Sequence, residues 1–233
     1  MKGRTKGDAM SDGFHPPLEE YLEAIHELDE EGTPVIQARL VERLGHSAPA
    51  VSETMRRLRT DGWVDVHDRF VTLTDKGRQR AASVVRKHRL AERLLTDIIG
   101  LEWHKTHAEA CRWEHVISDE VEDRLVTLLG NPTTCPHGSP IPGAVPSGRA
   151  VHGPVATALA DSQPGDHVRL ERVTEQVEID LPALTYLGTN GFVPGAGAQV
   201  QAKAPDGTLV LDLGDRTIAL GPALAQQLYV TRV

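Results

Sequence analysis

The segment from His88 to His115 constrains this chain most, because it combines two amphipathic helical patterns with six side chains that can bind a metal ion. Gly100 separates the two patterns. In the first, His88 and Glu92 are spaced i, i+4, which places the imidazole and the carboxylate on one helix face. In the second, a rotation of about 100° per residue aligns four more ligand-type side chains along one stripe. These four are His107, Cys111, Glu114 and His115.

The length of the second pattern predicts two metal sites. At a rise of about 1.5 Å per residue, His107 and His115 would lie about 12 Å apart, which is too far for both to bind one ion. The upper site would contain His88, Glu92 and His107, and the lower site Cys111, Glu114 and His115. One such histidine or cysteine is usually a core or solvated residue, but six in phase on adjacent helices favour metal binding.

Composition predicts a cytoplasmic protein without a membrane partner. Hydrophobic residues make up 39% of the 233-residue chain, enough for packed cores. No apolar run reaches about 18 residues, the length of a membrane span. The first dozen residues are polar, lack the apolar core of a signal peptide and are expected to be disordered. Two cysteines are too few for a disulfide framework, and a cytosolic cysteine among His and Glu is typical of a thiolate ligand.

The net charge of −8 is distributed unevenly along the chain. Residues 35–90 hold 12 Lys and Arg against 6 Asp and Glu, whereas the rest of the chain holds 13 against 27. A cationic module within an acidic chain indicates a nucleic-acid-binding domain attached to an acidic body.

The cationic region has the pattern of a winged helix-turn-helix. Apolar residues recur at helix spacing and then alternate as in strands. The predicted elements are three helices at 18–31, 36–44 and 47–61 and two strands at 63–66 and 70–73. Ser47 is a suitable N-cap for the third helix, and Gly62 ends it. The two strands and the turn between them would form the wing.

In a winged helix, the third helix lies in the major groove and the wing reaches backbone phosphates. The side chains that the third helix would expose are Ser47, Ser52, Glu53, Arg56, Arg57 and Arg59. We predict that Arg57 and Arg69, the latter at the tip of the wing, contact phosphates. Solvated basic side chains on a packed helix are the alternative.

A long helix begins after Thr74 and carries His88 and Glu92 out of the winged domain. The segment that follows has more apolar residues than two or three helices can bury, which predicts a helical dimer interface. These residues are Ile98, Ile99, Leu101, Trp103, Trp113, Val116, Ile117, Val121, Leu125, Leu128 and Leu129. Two-fold symmetry would place two recognition helices about 34 Å apart on a palindromic double-stranded operator.

The last hundred residues differ in character. Residues 131–154 are rich in Pro and Gly, as in a linker, and Cys135 and His137 within them give only a weak metal signal that favours structural or exposed roles. After about Asp161, short alternating strands between Gly, Pro and Asp turns predict a small all-β barrel. The predicted division is a winged domain at 14–82, a helical metal-binding and dimerisation domain at 83–140, a linker at 141–160 and a β domain at 161–233.

The run KHRLAERLLTDIIGL, followed by H-x3-C-x2-E-H and SDEVEDRL, closely resembles the diphtheria-toxin-repressor family of metal-dependent transcriptional regulators. The resemblance extends from about Leu18 to the C-terminus. It implies a mainly α fold with a small β domain: an N-terminal winged helix-turn-helix, an α-helical dimerisation domain and a C-terminal SH3-like (FeoA-like) β-barrel.

The resemblance also implies metal ligands that spacing alone does not indicate. Glu20 aligns where other members place a Met or an Asp that completes the lower site. Glu175 and Glu178 align with the two positions through which the third domain of the family reaches the upper site, where Glu and Gln are common.

For DNA binding, the resemblance implies contacts at the start of the third helix. Ser47, Ala48, Pro49 and Ser52 match family positions that meet bases and adjacent phosphates. Glu53 departs from the Gln common in close relatives, which leaves the base preference open, since a carboxylate accepts from cytosine and cannot donate to a phosphate.

The predicted ligands give conflicting indications about the metal. Cys111 adds a soft thiolate that favours Fe(II), Co(II), Ni(II) or Zn(II), whereas the hard oxygen of Glu20 favours Mn(II). We predict Mn(II) or Fe(II) at two sites per subunit and expect Zn(II), Co(II), Ni(II) or Cd(II) to substitute in vitro.

The first functional hypothesis is a homodimeric, metal-activated transcription factor that represses metal-uptake genes. One alternative is a winged-helix regulator that responds to an organic ligand and has structural metal sites. Another is a metalloenzyme, which would need an open coordination position and a general base, whereas the available groups here are all used as ligands.

Overall fold

A computed structural model describes residues 16–144 and 156–233, which form two compact units. The first unit contains residues 16–28 and 34–81, and the second contains 29–33 and the described residues from Ala82 onward. Within the described residues, no helix has both the length and the apolar character needed to cross a membrane. The disorder expected for the first dozen residues concerns a segment outside this description.

The first unit is a winged helix-turn-helix, as predicted. Its elements are α1 (Pro16–Glu30), α2 (Gln37–Leu44), α3 (Ala48–Thr60), β1 (Val64–His67), β2 (Phe70–Leu73) and the start of α4 (Asp75–Arg93). The strands pair antiparallel from Val64 with Leu73 to His67 with Phe70. Apolar side chains from the helices and strands share one core, so the helix spacing read from the sequence corresponds to a buried face.

Local signals in the sequence fix the ends of the recognition helix α3. The Ser47 hydroxyl accepts a hydrogen bond from the Ala50 amide at 3.4 Å, and Pro49 lies in the first turn, where a missing N–H is harmless. Val51, Met55 and Leu58 form its buried face. The opposite face is exposed to solvent.

The helical part of the second unit is more divided than its sequence pattern predicts. A π-helical turn (Leu94–Ile99) follows α4, and a 3₁₀ turn (Trp103–Lys105) precedes α5 (Thr106–Trp113) and α6 (Asp119–Leu128). The hydroxyl of Ser118 accepts from the amide of Val121 and starts α6. Because α5 ends at Trp113, His115 lies beyond it. The estimate of about 12 Å between His107 and His115 assumed that one straight helix contains both residues, and this assumption was wrong.

Residues 131–144 form a packed loop rather than a linker. Thr134 and Pro140 form a β-bridge, and the amide of Cys135 donates to the Ser139 carbonyl at 2.8 Å. The side chains of Cys135 and His137 are buried, which excludes the exposed one of the two roles predicted for them. Residues 145–155, the middle of the predicted linker, lie outside the described residues.

The C-terminal domain begins at Thr157, earlier than the predicted residue 161, and its core is a six-stranded antiparallel sheet. In sheet order β3-β8-β4-β5-β6-β7, the strands are Thr157–Ala158, Leu228–Arg232, His167–Val173, Gly197–Lys203, Leu209–Asp212 and Thr217–Leu220. The domain is not all-β, because α7 (Glu175–Glu178), α8 (Leu181–Thr189) and α9 (Pro222–Ala225) connect strands. Asp180 caps α8 by accepting from the amide of Ala183 at 3.1 Å.

Candidate metal centre and nucleic-acid interface

Helices α4 and α5 bring together the three residues predicted for the upper site. The Nε2 atom of His88 lies 3.3 Å from Oε1 of Glu92, and Nδ1 of His107 lies 3.6 Å from the same oxygen. The carboxylate of Glu92 has no exposed surface. The i, i+4 spacing of His88 and Glu92 therefore produces the shared face that the sequence predicts.

Helix α7 adds the two glutamates that the family resemblance implied. Oε1 of Glu175 lies 3.3 Å from Nε2 of His107, and Oε2 of Glu178 lies 3.4 Å from Nδ1 of His107. Four ligand atoms, one each from His88, Glu92, His107 and Glu178, lie within 4.8 Å of one another. This separation is short enough for one ion to contact all four.

The loop at residues 131–144 contributes two side chains that the sequence reasoning did not assign to a metal site. His137 is fully buried, with Nδ1 at 2.9 Å from Oε1 of Glu92 and 3.0 Å from Oε2 of Glu178. Cys135 is 2% exposed and groups with Glu92 and His137 within the same 4.8 Å limit. We use the name Glu92 cluster for His88, Glu92, His107, Cys135, His137, Glu175 and Glu178.

The charges of the Glu92 cluster are mutually compensated. Burial alone would lower the pKa of His137, but the carboxylates of Glu178 and Glu92 hold it well above its ordinary value. Burial would raise the pKa of Glu92, but the charges of His137 and His88 hold it well below its usual range. The cluster is thus a set of charged imidazoles and carboxylates in a buried site.

The pKa values of the other acidic members shift in different directions. Burial opposes it, but the charge of His137 lowers the pKa of Glu178 to about 2. Burial and the neighbouring charge of Glu178 raise the pKa of Glu175. Burial also raises the pKa of the Cys135 thiol to about 11, helped by the charge of Glu92. Cys135 is therefore a neutral thiol in this environment.

The cluster has the chemistry of a metal site because several of its buried ligand atoms form ion pairs with one another but have no hydrogen-bond partner. In the part of the chain that the structure describes, buried atoms without a hydrogen-bond partner include Nε2 of His88, both carboxylate oxygens of Glu92, Nδ1 of His107 and Nδ1 of His137. Buried polar atoms are normally hydrogen-bonded, so such a group requires an explanation. Imidazole nitrogens and carboxylate oxygens that lie within 4.8 Å of one another fit a divalent cation.

The three residues predicted for the lower site lie next to this cluster rather than apart from it. Oε2 of Glu114 lies 2.5 Å from Nδ1 of His88, and Oε1 of Glu114 lies 3.0 Å from Nε2 of His115. The sulfur of Cys111 lies 3.5 Å from Nε2 of His107. His88 and His107 thus connect the two predicted ligand sets. Glu20 lies half-buried on α1, in the first unit.

The surroundings of Glu114 and Cys111 favour the ionised forms of both side chains. Burial opposes ionisation of Glu114, but hydrogen bonds with His115 and His88 lower its pKa to about 2. Burial likewise opposes ionisation of Cys111, whereas contacts with His107 and His88 lower the pKa of its thiol below the ordinary value. Both groups are therefore biased toward the anionic forms that bind metals.

The loop that carries His137 also holds the C-terminal domain. The amide of Val173 in β4 donates to the His137 carbonyl at 3.0 Å, and the Trp103 indole donates to the Pro136 carbonyl at 3.0 Å. Gly138 has φ +94°, and a Cβ atom there would lie 2.0 Å from the Glu171 carbonyl oxygen. Only glycine permits this approach of loop and strand.

The residues predicted to bind DNA lie on the solvent-exposed side of the first unit. Those at the start and along one face of α3 are Ser47, Ala48, Pro49, Ser52, Glu53 and Arg57, and all are exposed. Glu53 forms an ion pair with the exposed Arg56, three residues later. At the wing tip, the guanidinium of Arg69 lies 5.2 Å from the ring centre of Phe70. The exposure of all these side chains is compatible with DNA contact.

The second unit also has an exposed apolar surface. Large side chains with roughly half or more of their surface exposed are Ile98, Ile99, Val116, Val121 and Leu128. The other six residues predicted for this surface pack inside the unit, and four of them, Leu101, Trp113, Ile117 and Leu129, lie partly buried against the helical cores. Leu125 is buried, and Trp103 packs against the core of the C-terminal domain.

A winged helix-turn-helix, a buried cluster of metal-ligand side chains and a C-terminal β domain together define the class of metal-dependent DNA-binding regulators. Comparison with known families gives the same division. Residues 14–69 match the iron-dependent repressor N-terminal DNA-binding domain, residues 74–143 match the iron-dependent repressor metal-binding and dimerisation domain, and residues 157–232 match the FeoA domain. The chain belongs to the iron-dependent repressor family, which includes the diphtheria toxin repressors.

Several relatives resemble nearly the whole chain. The iron-dependent repressor IdeR of Mycobacterium leprae is 42% identical over 92% of this chain and 96% of its own length. The diphtheria toxin repressor of Corynebacterium diphtheriae is 42% identical over 91% of this chain and 95% of its own. A solved manganese-dependent transcriptional repressor in complex with manganese is 34% identical, covers 93% of this chain and all of its own, and has a TM-score of 0.80.

Proposed function

We propose that this protein is a metal-activated transcription regulator that represses metal-uptake genes. In this proposal it is a cytoplasmic homodimer, with no catalytic residue, that binds a palindromic double-stranded DNA operator when its metal sites are filled. The observation that carries the proposal is a cluster of buried ligand atoms that form ion pairs with one another but lack hydrogen-bond partners, in the same chain as an exposed recognition helix. Family membership supports the regulatory role.

The upper site would be held mainly by His88, Glu92, His107 and Glu178, with His137 and Glu175 beside them. A bound dication supplies the positive charge that the protonated imidazoles provide in its absence. The donors of these six residues are imidazole nitrogens and carboxylate oxygens, which suit Mn(II) or Fe(II). Relatives named for iron and for manganese both exist, in agreement with this pair of metals.

The lower site would be held by Cys111, Glu114 and His115, with Glu20 as the ligand that the family resemblance adds. The contacts of Glu114 with His88 and of Cys111 with His107 support a close connection between the two sites. We therefore expect the second equivalent of metal to bind with an affinity that depends on the first.

Regulation would follow from differential metal binding. A ligand shifts an equilibrium only by the difference in its affinity for the two states, so the metal must bind the DNA-competent state more tightly. In the second unit, His137 connects the Glu92 cluster to β4 through the loop backbone, and metal at the cluster would therefore stabilise the docked C-terminal domain.

The test is operator binding by the full chain in chelator, Mn(II) and Fe(II), in separate anaerobic titrations. The duplex would carry the promoter of a metal-transporter gene from the same genome. We expect tight binding only with metal, and loss of this metal-activated binding in Glu20→Ala. Glu42→Ala, an exposed carboxylate on α2, is the matched control. Full affinity in chelator would overturn the proposal and favour a regulator that responds to another ligand.

A further inference from the structure

The turn between α2 and α3 contains a histidine with an internal hydrogen-bond partner. Gly45 ends α2 with φ +65°, and Ser47 caps α3, so His46 lies directly before the recognition helix. Its Nδ1 atom lies 3.1 Å from the hydroxyl oxygen of Tyr21 on α1, with the ring centres 5.7 Å apart. Tyr21 is 1% exposed, whereas His46 is half-buried.

This hydrogen bond fixes which nitrogen of His46 can donate outward. A buried tyrosine hydroxyl needs an acceptor for its proton, and Nδ1 of His46 supplies one. A neutral imidazole that accepts at Nδ1 carries its proton on Nε2, and the tautomer is set by the bond that the other nitrogen makes. His46 therefore has an Nε2–H donor, held in place by Tyr21.

The position of this donor suits a DNA phosphate. Phosphate oxygens are bound by side-chain donors and by the free amides at helix N-termini, which position a protein on the duplex. The three residues that follow His46 are exposed and were predicted from the family resemblance to meet bases and adjacent phosphates: Ser47, Ala48 and Pro49. A duplex that reaches these residues also brings its backbone close to His46.

We propose that His46 is a further DNA-binding residue, which donates Nε2–H to a backbone phosphate, and that Tyr21 is its positioning residue. The inference rests on the proposed function, since it requires that α3 binds DNA. Tyr21 follows Glu20 on α1, so a change in the position of α1 reaches the phosphate donor through one hydrogen bond. The helix that carries a proposed metal ligand thus also orients a DNA contact.

The experiment is a methylphosphonate scan of an operator duplex with the metal-loaded full chain. Each methylphosphonate removes the charge of one phosphate and one of its acceptor oxygens. We expect the wild type to lose affinity at several phosphates in each half-site. His46→Ala should bind the unmodified operator about three- to tenfold more weakly, the effect of one hydrogen bond. It should also lose the sensitivity to one of these phosphates.

Two further variants separate a phosphate contact from a structural role. His46→Gln can accept from Tyr21 and donate to a phosphate, so it should restore both the affinity and the lost sensitivity. Tyr21→Phe should weaken operator binding in the wild type but not in His46→Ala, because its effect passes through His46. Tyr186→Phe is the matched control, since it removes a tyrosine hydroxyl bonded to the Ala219 backbone in the C-terminal domain.

The outcomes distinguish this inference from the function on which it rests. If the metal-loaded wild type does not bind the operator, the proposed function fails and this inference fails with it. If the wild type binds but His46→Ala keeps every phosphate sensitivity, only the role of His46 is overturned. A further loss when Tyr21→Phe is added to His46→Ala would overturn the role of Tyr21.

Discussion

We expect His137→Ala to destabilise the metal-free second unit by about 3 kcal/mol at pH 7 and by much less at pH 5. Nδ1 of His137 lies 2.9 Å from Oε1 of Glu92 and 3.0 Å from Oε2 of Glu178, and the side chain has no exposed surface. The pKa of His137 is held well above its ordinary value, so the ring is charged in the metal-free protein. Its removal takes away the imidazole nearest to both buried carboxylates and leaves them with longer contacts to His107 and, for Glu92, to His88.

Proton uptake limits the size of this loss. Removing one partner of a buried ion pair typically costs about 3–5 kcal/mol. In His137→Ala, one of the two carboxylates can avoid this cost by taking up a proton, and the ordinary pKa of such a carboxyl group is 4.5. At about 1.4 kcal/mol per pH unit, this costs about 3.4 kcal/mol at pH 7 and about 0.7 kcal/mol at pH 5. The loss should therefore be about 3 kcal/mol at pH 7 and about 1 kcal/mol at pH 5.

Urea unfolding of the full chain in chelator, followed by tryptophan fluorescence, measures the effect. A Trp63→Phe background leaves Trp103 and Trp113, which both lie in the second unit. The control His104→Ala removes a half-buried imidazole of the same unit, and we expect it to cost about 1 kcal/mol or less. A loss below about 1 kcal/mol for His137→Ala at pH 7, or an equal loss at both pH values, would refute the compensation of charge on which this reasoning depends.

Three further predictions concern protons, backbone packing and base preference. The histidines of the Glu92 cluster have raised pKa values, so metal-free stability should fall as pH rises above about 6.5, and Mn(II) should displace protons on binding. Calorimetry of Mn(II) binding at pH 7 in two buffers should detect this proton release. Binding without proton release would contradict the claim that the imidazoles are charged in the metal-free protein. In urea unfolding, Gly138→Ala should destabilise the second unit far more than Gly165→Ala. Both glycines have φ near +95°, but only at Gly138 would a Cβ atom collide with neighbouring backbone. Equal losses would count against this close approach. Glu53→Gln should change the base preferred opposite residue 53 from cytosine toward adenine in selection from a randomised operator library, and an unchanged preference would exclude base contact by Glu53.

Helix periodicity predicts the part of the Glu92 cluster that lies on α4 and α5. His88 and Glu92 are one turn apart in the sequence and 3.3 Å apart in the structure. The same periodicity does not extend to His115, because α5 ends at Trp113, and the assignment of His115 to the lower site stays a prediction. Periodicity describes a helix well but does not locate its end.

Cys135 and His137 could not be placed by local reasoning. Their loop is rich in Pro and Gly, which is also the composition of a linker, and its position depends on Gly138 approaching β4 from another domain. The available signal was the run Cys135-Pro136-His137-Gly138, which is compatible with a rigid, packed turn. Such a long-range contact becomes visible only in three dimensions.

The winged domain was more predictable because its signals are local. Ser47 caps α3 and a residue pattern of period two marks β1 and β2, so each element could be located from a few neighbouring residues. In the C-terminal domain, the short helices α7 and α8 were missed between strands. Asp180, whose carboxylate caps α8, is the residue that could have indicated this second helix.

The most direct test of the central claim is the affinity of the full chain for Mn(II), measured with and without operator DNA. If metal activates DNA binding, thermodynamic linkage requires that the operator raises metal affinity by the same factor by which metal raises operator affinity, typically about 5- to 150-fold. We expect this increase with the operator and a smaller one with a scrambled duplex. Equal Mn(II) affinity in the presence and absence of operator would show that metal and DNA bind independently, and the account would be wrong.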